Sequence, residues 1–207
     1  MALEAISCER DDRLLISQLS LALELGQVLQ VEGPNGCGKT TLLRVLTTLS
    51  GDYQGEIFWQ GQKLKAVKAE YLSQLLYIGH TPGIKGSLSP LENLRWSLSI
   101  SAAQASVNQD EQIFAALARV GLTAYAHVAC HRLSAGQQRR VALAKMFLFT
   151  VPLWILDEPF TAIDKQGIAE LENVIDQQVK QGGLVILTTH HDLKLQQSCR
   201  KLRLGGS

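Results

Sequence analysis

The sequence lacks long apolar runs. No stretch of about 18 or more uncharged apolar residues occurs, so we predict that the chain does not span a membrane. Its first residues, MALEAISCERDDR, lack the basic start and apolar stretch of a secretory signal. The four scattered cysteines form no CxxC pair, which predicts free thiols in a reducing cytoplasm and no disulfide framework or zinc site. The net charge of +1 gives no reason to expect nucleic acid as a partner.

Apolar residues are abundant, at 46% of 207 residues, which is enough for the core of one compact domain. Apolar strands that alternate with segments of helical periodicity predict an α/β fold with a mainly parallel sheet. Residues 3–8 and 21–32 are predicted strands of a small sheet, with a turn at Gly26. Residues 39–49 are predicted to form a helix that Gly51 closes.

A glycine-rich loop lies between the predicted strand VLQVE and this helix, and it matches the pattern G-x-x-x-x-G-K-[ST]. Glycines let backbone N–H groups turn around phosphate oxygens, and the following helix points its positive end at the anion. We predict that Lys39 contacts the β- and γ-phosphates of ATP and that the Thr40 hydroxyl coordinates Mg²⁺. The strand and helix around the loop favour this interpretation over a chance glycine turn. The predicted phosphate-binding residues are Gly33, Pro34, Asn35, Gly36, Cys37, Gly38, Lys39, Thr40 and Thr41.

An acidic pair, Asp157 and Glu158, follows the apolar run at 153–156. A carboxylate at the C-terminal end of a buried parallel strand lies where such sheets bind ligands. We predict that Asp157 holds Mg²⁺ through water and that Glu158 orients and deprotonates the attacking water. Alone, two solvated acids would be the better interpretation, but the phosphate loop upstream favours a catalytic pair.

A short segment, Leu133-Ser134-Ala135-Gly136-Gln137, precedes another apolar helical pattern. Ser134 and Gln137 have the spacing of a capping box, which predicts a helix start. A helix N-terminus that contains glycine is also a candidate anion site.

The ordered motifs together resemble those of ATP-binding cassette (ABC) ATPases, and the resemblance covers essentially the whole chain. The order is the phosphate loop, the signature segment at Leu133, the acidic pair, FTAID ending at Asp164, and His190 after LVILTT. The resemblance implies a P-loop cassette with a mainly parallel core sheet, a small antiparallel β part and a helical subdomain. It implies that two cassettes pair head to tail.

By the same resemblance, the signature residues of one copy would contact the γ-phosphate held by the other copy. Asp164 would lie at the shared interface. His190 would contact the γ-phosphate and act with Glu158, and the neighbouring His191 stays an alternative for that role. The signature residues are Ser134, Ala135, Gly136 and Gln137.

Three positions depart from the family pattern. His80 stands where the family usually has a glutamine, and it is a candidate sensor of the γ-phosphate or a neutral hinge residue. No aromatic residue precedes the phosphate loop at the place where the family stacks adenine, so Arg10 or Arg13 is predicted to stack on the base instead. Ala135 replaces the more usual glycine, and we expect little effect.

Three longer stretches resemble the ATP-binding subunit of the bacterial cytochrome c maturation system, also described as the heme-exporter ATPase. They are YIGHTPGIKGSLSPLENL, LSAGQQRRVALAK and LWILDEPFTAID. This resemblance implies an ATPase on the cytoplasmic face of the inner membrane, with two integral membrane subunits as partners. ATP hydrolysis would drive heme export or the release of a heme-loaded carrier.

The sequence predicts one ABC transporter domain over residues 1–207 in three parts: an N-terminal β part with the phosphate loop at 1–82, a helical subdomain at 83–150, and the rest of the α/β core at 151–207. An ABC transporter with another cargo remains the alternative function. A cassette of DNA repair or translation would need room for a long insertion, which the spacing of 95 positions from Lys39 to Ser134 does not offer. A module that binds nucleotide without hydrolysis is disfavoured by the presence of Glu158 and His190.

Overall fold

A computed structural model describes residues 1–10, 13–100 and 108–205. The strands are β1 (Ala2–Arg10), β2 (Arg13–Ala22), β3 (Val28–Glu32), β4 (Gln54–Trp59), β5 (Gln62–Lys63), β6 (Leu75–Ile78), β7 (Leu153–Asp157), β8 (Leu184–Thr188) and β9 (Cys199–Arg203). The α-helices are α1 (Lys39–Leu46), α2 (Lys68–Ser73), α3 (Pro90–Ser99), α4 (Gln109–Arg119), α5 (Ala135–Leu143) and α6 (Lys165–Lys180).

Two compact units make up the described chain. The first unit comprises residues 1–77, 151–158 and 175–207, and the second comprises residues 78–150 and 159–174. The three-part division at 82 and 150 that the sequence suggested stays a prediction.

The first unit is built on two sheets. One is four-stranded, in the order β2-β1-β4-β5, with antiparallel pairs. The other has the order β6-β7-β8-β3-β9, and β3 pairs in parallel with both β8 and β9. The strands β7 and β8 are buried along their full length, as expected for parallel strands covered on both faces. Apolar residues of both sheets and of α1 form one core cluster, which fixes the strand ends that carry the candidate site.

The second unit has its own apolar core, formed by α3, α4, α5 and the segments between them. The helix predicted around Ile113, Ala116 and Leu117 is confirmed as α4, and these three residues are its buried face. Gly121, with a φ of 69°, follows the C-cap as predicted. Helix α5 is shorter than the apolar pattern suggested. The α-helix ends at Leu143, and a 3₁₀ segment continues over Ala144–Phe147.

The turn predicted at Gly26 is confirmed, since Gly26 has a φ of 79° and lies between β2 and β3. The prediction that residues 21–32 belong to one small sheet was wrong: β2 lies in the antiparallel sheet, whereas β3, which is buried on both faces, lies in the parallel sheet. The predicted helix at 39–49 ends at Leu46, and the left-handed residue after it is Thr48, with a φ of 57°, rather than Gly51. The Thr47 hydroxyl donates to the Arg44 carbonyl at 3.2 Å, a side-chain bond that helps to end the helix early.

Candidate nucleotide site

The glycine-rich loop lies between β3 and α1 in the first unit, as predicted. Gly38 is the N-cap of α1 and has a φ of 102°, a conformation that residues with side chains rarely adopt. A methyl group at Gly38 would also lie only 3.1 Å from Cβ of Leu15 in β2. The loop therefore needs glycine here for its backbone conformation and for the close approach of β2.

Lys39 extends over the same loop. Its Nζ donates to the Gly33 carbonyl at 2.6 Å and to the Pro34 carbonyl at 3.2 Å. The ammonium group is therefore held above the loop, where the backbone N–H groups at the start of α1 also point.

A chain of hydrogen bonds connects the phosphate loop to the ends of β7 and β8. The Thr40 hydroxyl donates to Oδ2 of Asp157 at 3.0 Å, and the Thr188 hydroxyl donates to Oδ1 of Asp157 at 2.7 Å. Asp157 is only 2% exposed, so these two bonds fix the direction of a buried carboxylate. Asp157 and Thr188 are direct partners in the β7–β8 register, which explains why the two side chains meet.

Glu158 occupies a left-handed backbone conformation, with a φ of 50°. Its N–H donates to the Thr188 hydroxyl at 3.0 Å, which helps to hold this rare conformation. Its Oε1 lies 3.6 Å from Nε2 of His190, and the two side chains are 18% and 63% exposed. Five other non-glycine residues in the described part of the chain, among them Thr48 and Ala162, share this left-handed conformation, so the role of Glu158 as the catalytic base stays a prediction.

His191, the alternative to His190, lies in the same segment after β8. Its N–H donates to the Thr189 hydroxyl at 2.9 Å. The ring of His190 lies beside the Glu158 carboxylate, and which of the two histidines contacts the γ-phosphate stays a prediction.

The signature residues form the N-terminus of α5 in the second unit. The predicted capping box is confirmed: the Gln137 N–H donates to the Ser134 hydroxyl at 3.2 Å, and the Ser134 N–H donates to Oε1 of Gln137 at 2.9 Å. Ser134 and Ala135 are exposed, and a methyl group on Gly136 would lie 3.6 Å from the Ala162 carbonyl. The exposed end of the helix is thus organised and accessible.

Asp164 lies in the same unit, just before α6. It accepts a hydrogen bond from the Gly167 N–H at 2.8 Å and one from the Arg140 guanidinium at 2.8 Å. The bond from Gly167 and the nearby charge of Arg140 hold the pKa of Asp164 below its ordinary value. The carboxylate is therefore ionised and directed by two elements, α5 and the start of α6.

His80 is exposed in the loop after β6. Its carbonyl accepts a hydrogen bond from the Arg139 guanidinium at 3.3 Å, and the same nitrogen of Arg139 also donates to the Gly79 carbonyl. Arg139 belongs to α5 and is only 6% exposed. The segment that carries His80 is therefore bound to the helix that carries the signature residues.

Arg10 and Arg13 are exposed neighbours at the end of the β1–β2 pair. Arg13 begins β2, whose register with β1 shifts between Leu14 and Ile16. At this shift, both Leu15 and Ile16 lie close to Gly38 of the phosphate loop. Stacking of either arginine on adenine stays a prediction.

The sequence reasoning missed Thr188, Arg139 and Arg140. Thr188 had a partial signal, because it ends an apolar run of the length of a buried strand, and the carboxyl ends of such strands lie where parallel sheets bind ligands. That this strand neighbours β7 is known only from the structure. The two arginines had no such signal, since QQRR is an ordinary polar stretch of a helix until its partners are known.

A glycine-rich phosphate loop, a buried aspartate bonded to it and a glutamate beside a histidine are the groups expected at a P-loop ATPase site. A model of the ABC transporter family matches residues 16–161, which is more than half of the chain. The chain belongs to the ABC transporter family, and the predicted family is confirmed.

Three relatives that match most of the chain share the name "Cytochrome c biogenesis ATP-binding export protein CcmA". The protein of Hahella chejuensis is 49% identical over 201 residues, covering 97% of this chain and 93% of its own length. The protein of Vibrio cholerae is 50% identical over 197 residues, covering 95% of this chain and 94% of its own length. The protein of Methylococcus capsulatus is 48% identical over 202 residues, covering 98% of this chain and 96% of its own length.

Solved structures confirm the predicted fold class. A dimeric ATP-binding cassette in a post-hydrolysis state with ADP and Pi has a TM-score of 0.81 at 21% identity, covering 92% of this chain and 88% of that one. An ATP-binding subunit of an ABC transporter has a TM-score of 0.81 at 23% identity, and the match covers 91% of this chain and 78% of that one. Within the part of this chain that the structure describes, no helix is long and apolar enough to cross a membrane.

Proposed function

We propose that the chain is the ATP-hydrolysing subunit of an ABC transporter complex for cytochrome c biogenesis, which couples hydrolysis to heme export or to release of a heme-loaded carrier. The observation that carries the ATPase part is the bonded series Thr40–Asp157–Thr188, with Glu158 and His190 beside it. The names of relatives at 48–50% identity support the cytochrome c part.

The phosphate loop supplies ATP binding. The Lys39 ammonium would exchange the Gly33 and Pro34 carbonyls for β- and γ-phosphate oxygens, a move of a flexible side chain that needs no change of fold. Backbone N–H groups of residues 36–41 would surround the β-phosphate at the positive end of α1. Both contacts are with phosphates, so they serve any nucleoside triphosphate equally.

The oxygen atoms at this site fit Mg²⁺. The Thr40 hydroxyl and the Asp157 carboxylate already lie within 3.0 Å of each other, and both are the hard oxygen ligands that Mg²⁺ prefers. We assign Thr40 and Asp157 to hold it, with Asp157 acting through water. When bound, Mg²⁺ neutralises charge that develops on the β- and γ-phosphates.

Hydrolysis needs a positioned water, and Glu158 is placed to orient it. The water oxygen attacks the γ-phosphorus, the bond from that phosphorus to the ADP oxygen breaks, and the proton of the water passes to the Glu158 carboxylate. His190, 3.6 Å from Glu158, is proposed to bind the γ-phosphate and to keep the carboxylate directed toward the water. The products are ADP and phosphate.

A second copy of the chain would complete the site. Ser134, Ala135, Gly136 and Gln137 form an exposed helix N-terminus, which suits a γ-phosphate held by another copy. Asp164 would lie at the interface of this head-to-tail dimer. Closure around ATP and reopening after hydrolysis would supply the mechanical step to two integral membrane subunits, with the chain peripheral at the cytoplasmic face of the inner membrane.

Replacing the proposed base tests the mechanism. Glu158→Gln keeps the size of the side chain and removes its basicity, so we expect ATP turnover to fall at least about 1,000-fold while ATP still binds. Turnover and ATP binding are measured on the same preparation, with Glu56→Gln on β4 as the matched control. Normal turnover in Glu158→Gln would show that another group is the base.

Membrane partners distinguish the proposed function from the alternative of another cargo. The Glu158→Gln chain, which retains ATP, is purified with detergent-solubilised membranes, and the co-purifying subunits are identified. Loss of cytochrome c formation when those subunits are deleted supports the heme function, whereas loss of a different transported compound favours the alternative.

A further inference from the structure

The chain continues past β9 directly beneath the phosphate loop. Strand β9 pairs with β3 up to the partners Glu32 and Arg203. The Leu204 N–H then donates to the Glu32 carbonyl at 2.8 Å. At this point β3 enters the phosphate loop, so the two residues after β9 lie alongside the first residues of the loop.

Leu204 and Gly205 approach the loop more closely than a side chain would permit. A methyl group on Gly33 would lie 2.5 Å from the Leu204 carbonyl oxygen. A methyl group on Gly205 would lie 2.9 Å from Cβ of Cys37 and 3.6 Å from Cδ of Pro34. The backbone that follows β9 thus packs directly against three residues of the phosphate loop.

This supporting segment is fixed to the core. Leu204 is 7% exposed and belongs to the main apolar cluster of the first unit. Lys201 of β9 forms an ion pair with Glu32 of β3, with 2.7 Å between Nζ and Oε1. Gly205 has a φ of 77°, which turns the backbone so that its Cα faces Cys37. The segment that packs against the phosphate loop is therefore itself held in place by the core and by β3.

We propose that Leu204 and Gly205 are positioning residues of the nucleotide site, which hold the phosphate loop in the shape that binds ATP. The proposal rests on the proposed function of that loop. Neither residue needs to contact ATP. Their effect passes through Gly33 and Cys37, whose backbone sets the direction of the N–H groups around the phosphates.

Adding one methyl group tests the proposal. In Gly205→Ala the new Cβ must displace Cys37, so we expect the dissociation constant for ATP to rise about tenfold, with a smaller change in turnover at saturating ATP. Gly61→Ala is the matched control, because Gly61 has a φ of 81° and no atom within 4 Å of the added methyl group. Both variants carry the same backbone strain, and only one touches the loop.

Two further variants separate contact from strain. Gly205→Asn adds a Cβ but tolerates a left-handed φ better than alanine, so it provides a folded variant if Gly205→Ala fails to fold. Cys37→Gly removes the atom that the methyl group strikes, so Gly205→Ala should weaken ATP binding less in that background than in the original chain. The comparison uses the Cys37→Gly single variant as its own reference.

Weaker ATP binding in Gly205→Ala or Gly205→Asn, near-normal binding in Gly61→Ala, and partial relief by Cys37→Gly support the proposal. Unchanged ATP binding in the folded Gly205 variants overturns it, as does equal weakening in Gly61→Ala. Failure of the unmodified chain to bind ATP would refute the proposed function instead, which is a different result.

Discussion

Helices α1 and α5 both begin at a glycine-containing segment, yet their N-termini are built differently. The N-cap of α1 is Gly38, which has no side chain to accept a bond from the first turn. The N-cap of α5 is Ser134, which forms a full capping box with Gln137. The difference matches their proposed roles, because α1 would hold phosphates within its own chain, whereas α5 must stay ordered until ATP on another copy reaches it.

Of the variants that test this comparison, Ser134→Arg is expected to have the largest effect, because it puts a bulky cation at the start of α5. We expect ATP hydrolysis to fall at least about 100-fold, because the helix end can no longer approach a γ-phosphate. ATP binding by the monomer should stay within about twofold of normal, since α1 is unchanged. Both quantities are measured, and normal hydrolysis would rule out a role for Ser134 in the site.

A mixing experiment sharpens this result. Lys39→Ala disables the phosphate loop and leaves the signature helix intact, whereas Ser134→Arg does the reverse. Each variant alone should be inactive, but a mixed dimer contains one complete site, so a mixture should recover part of the activity. No recovery, with dimers shown to form, would contradict the head-to-tail arrangement.

An intermediate effect is expected from Thr188→Val, which tests the site around α1, because Thr188 is bonded to Asp157 and Asp157 to Thr40 of the phosphate loop. This change removes the hydroxyl that donates to Asp157 and accepts from Glu158, so we expect hydrolysis to fall about 10- to 100-fold. The matched control is Thr47→Val, another buried threonine of the first unit, whose hydroxyl donates to the nearby Arg44 carbonyl. Equal losses in both variants would indicate general destabilisation instead.

The smallest effect is expected at a third helix start, that of α3. Ser89 and Glu92 form the same capping box as Ser134 and Gln137, but Ser89 is buried. Ser89→Ala should lower the free energy of unfolding by about 1 kcal/mol and leave turnover unchanged. Denaturant unfolding measures the free energy of unfolding, and an ATPase assay measures turnover. A large loss of turnover would show that Ser89 does more than cap its helix.

The sequence predicts the site best where the chemistry is local. The phosphate loop, the acid pair and the capping box each lie within a few consecutive residues, so their spacing alone indicates a structure. The strand β7 is likewise evident, because the apolar run before Asp157 is too short for a buried helix and has the length of a buried strand.

Contacts between distant parts of the chain could not be predicted. The bond from Thr188 to Asp157 depends on which strands are neighbours, and the contact of Gly205 with Cys37 joins residues far apart in the sequence. Strand β2 was missed because its burial alternates irregularly along the strand, which weakens the period-two pattern. Thr48 takes the place expected for a glycine, which residue type alone does not reveal.

The position of β3 between β8 and β9 has a consequence for the order in which the sheet can form. Its partners are β8 and β9, which follow it by about 150 residues or more in the order of synthesis. The loop from Gly33 to Thr40 therefore leaves the ribosome early but lacks both neighbouring strands until residues 184–203 have followed. A nascent chain accordingly lacks the two strands that flank β3 until late in translation.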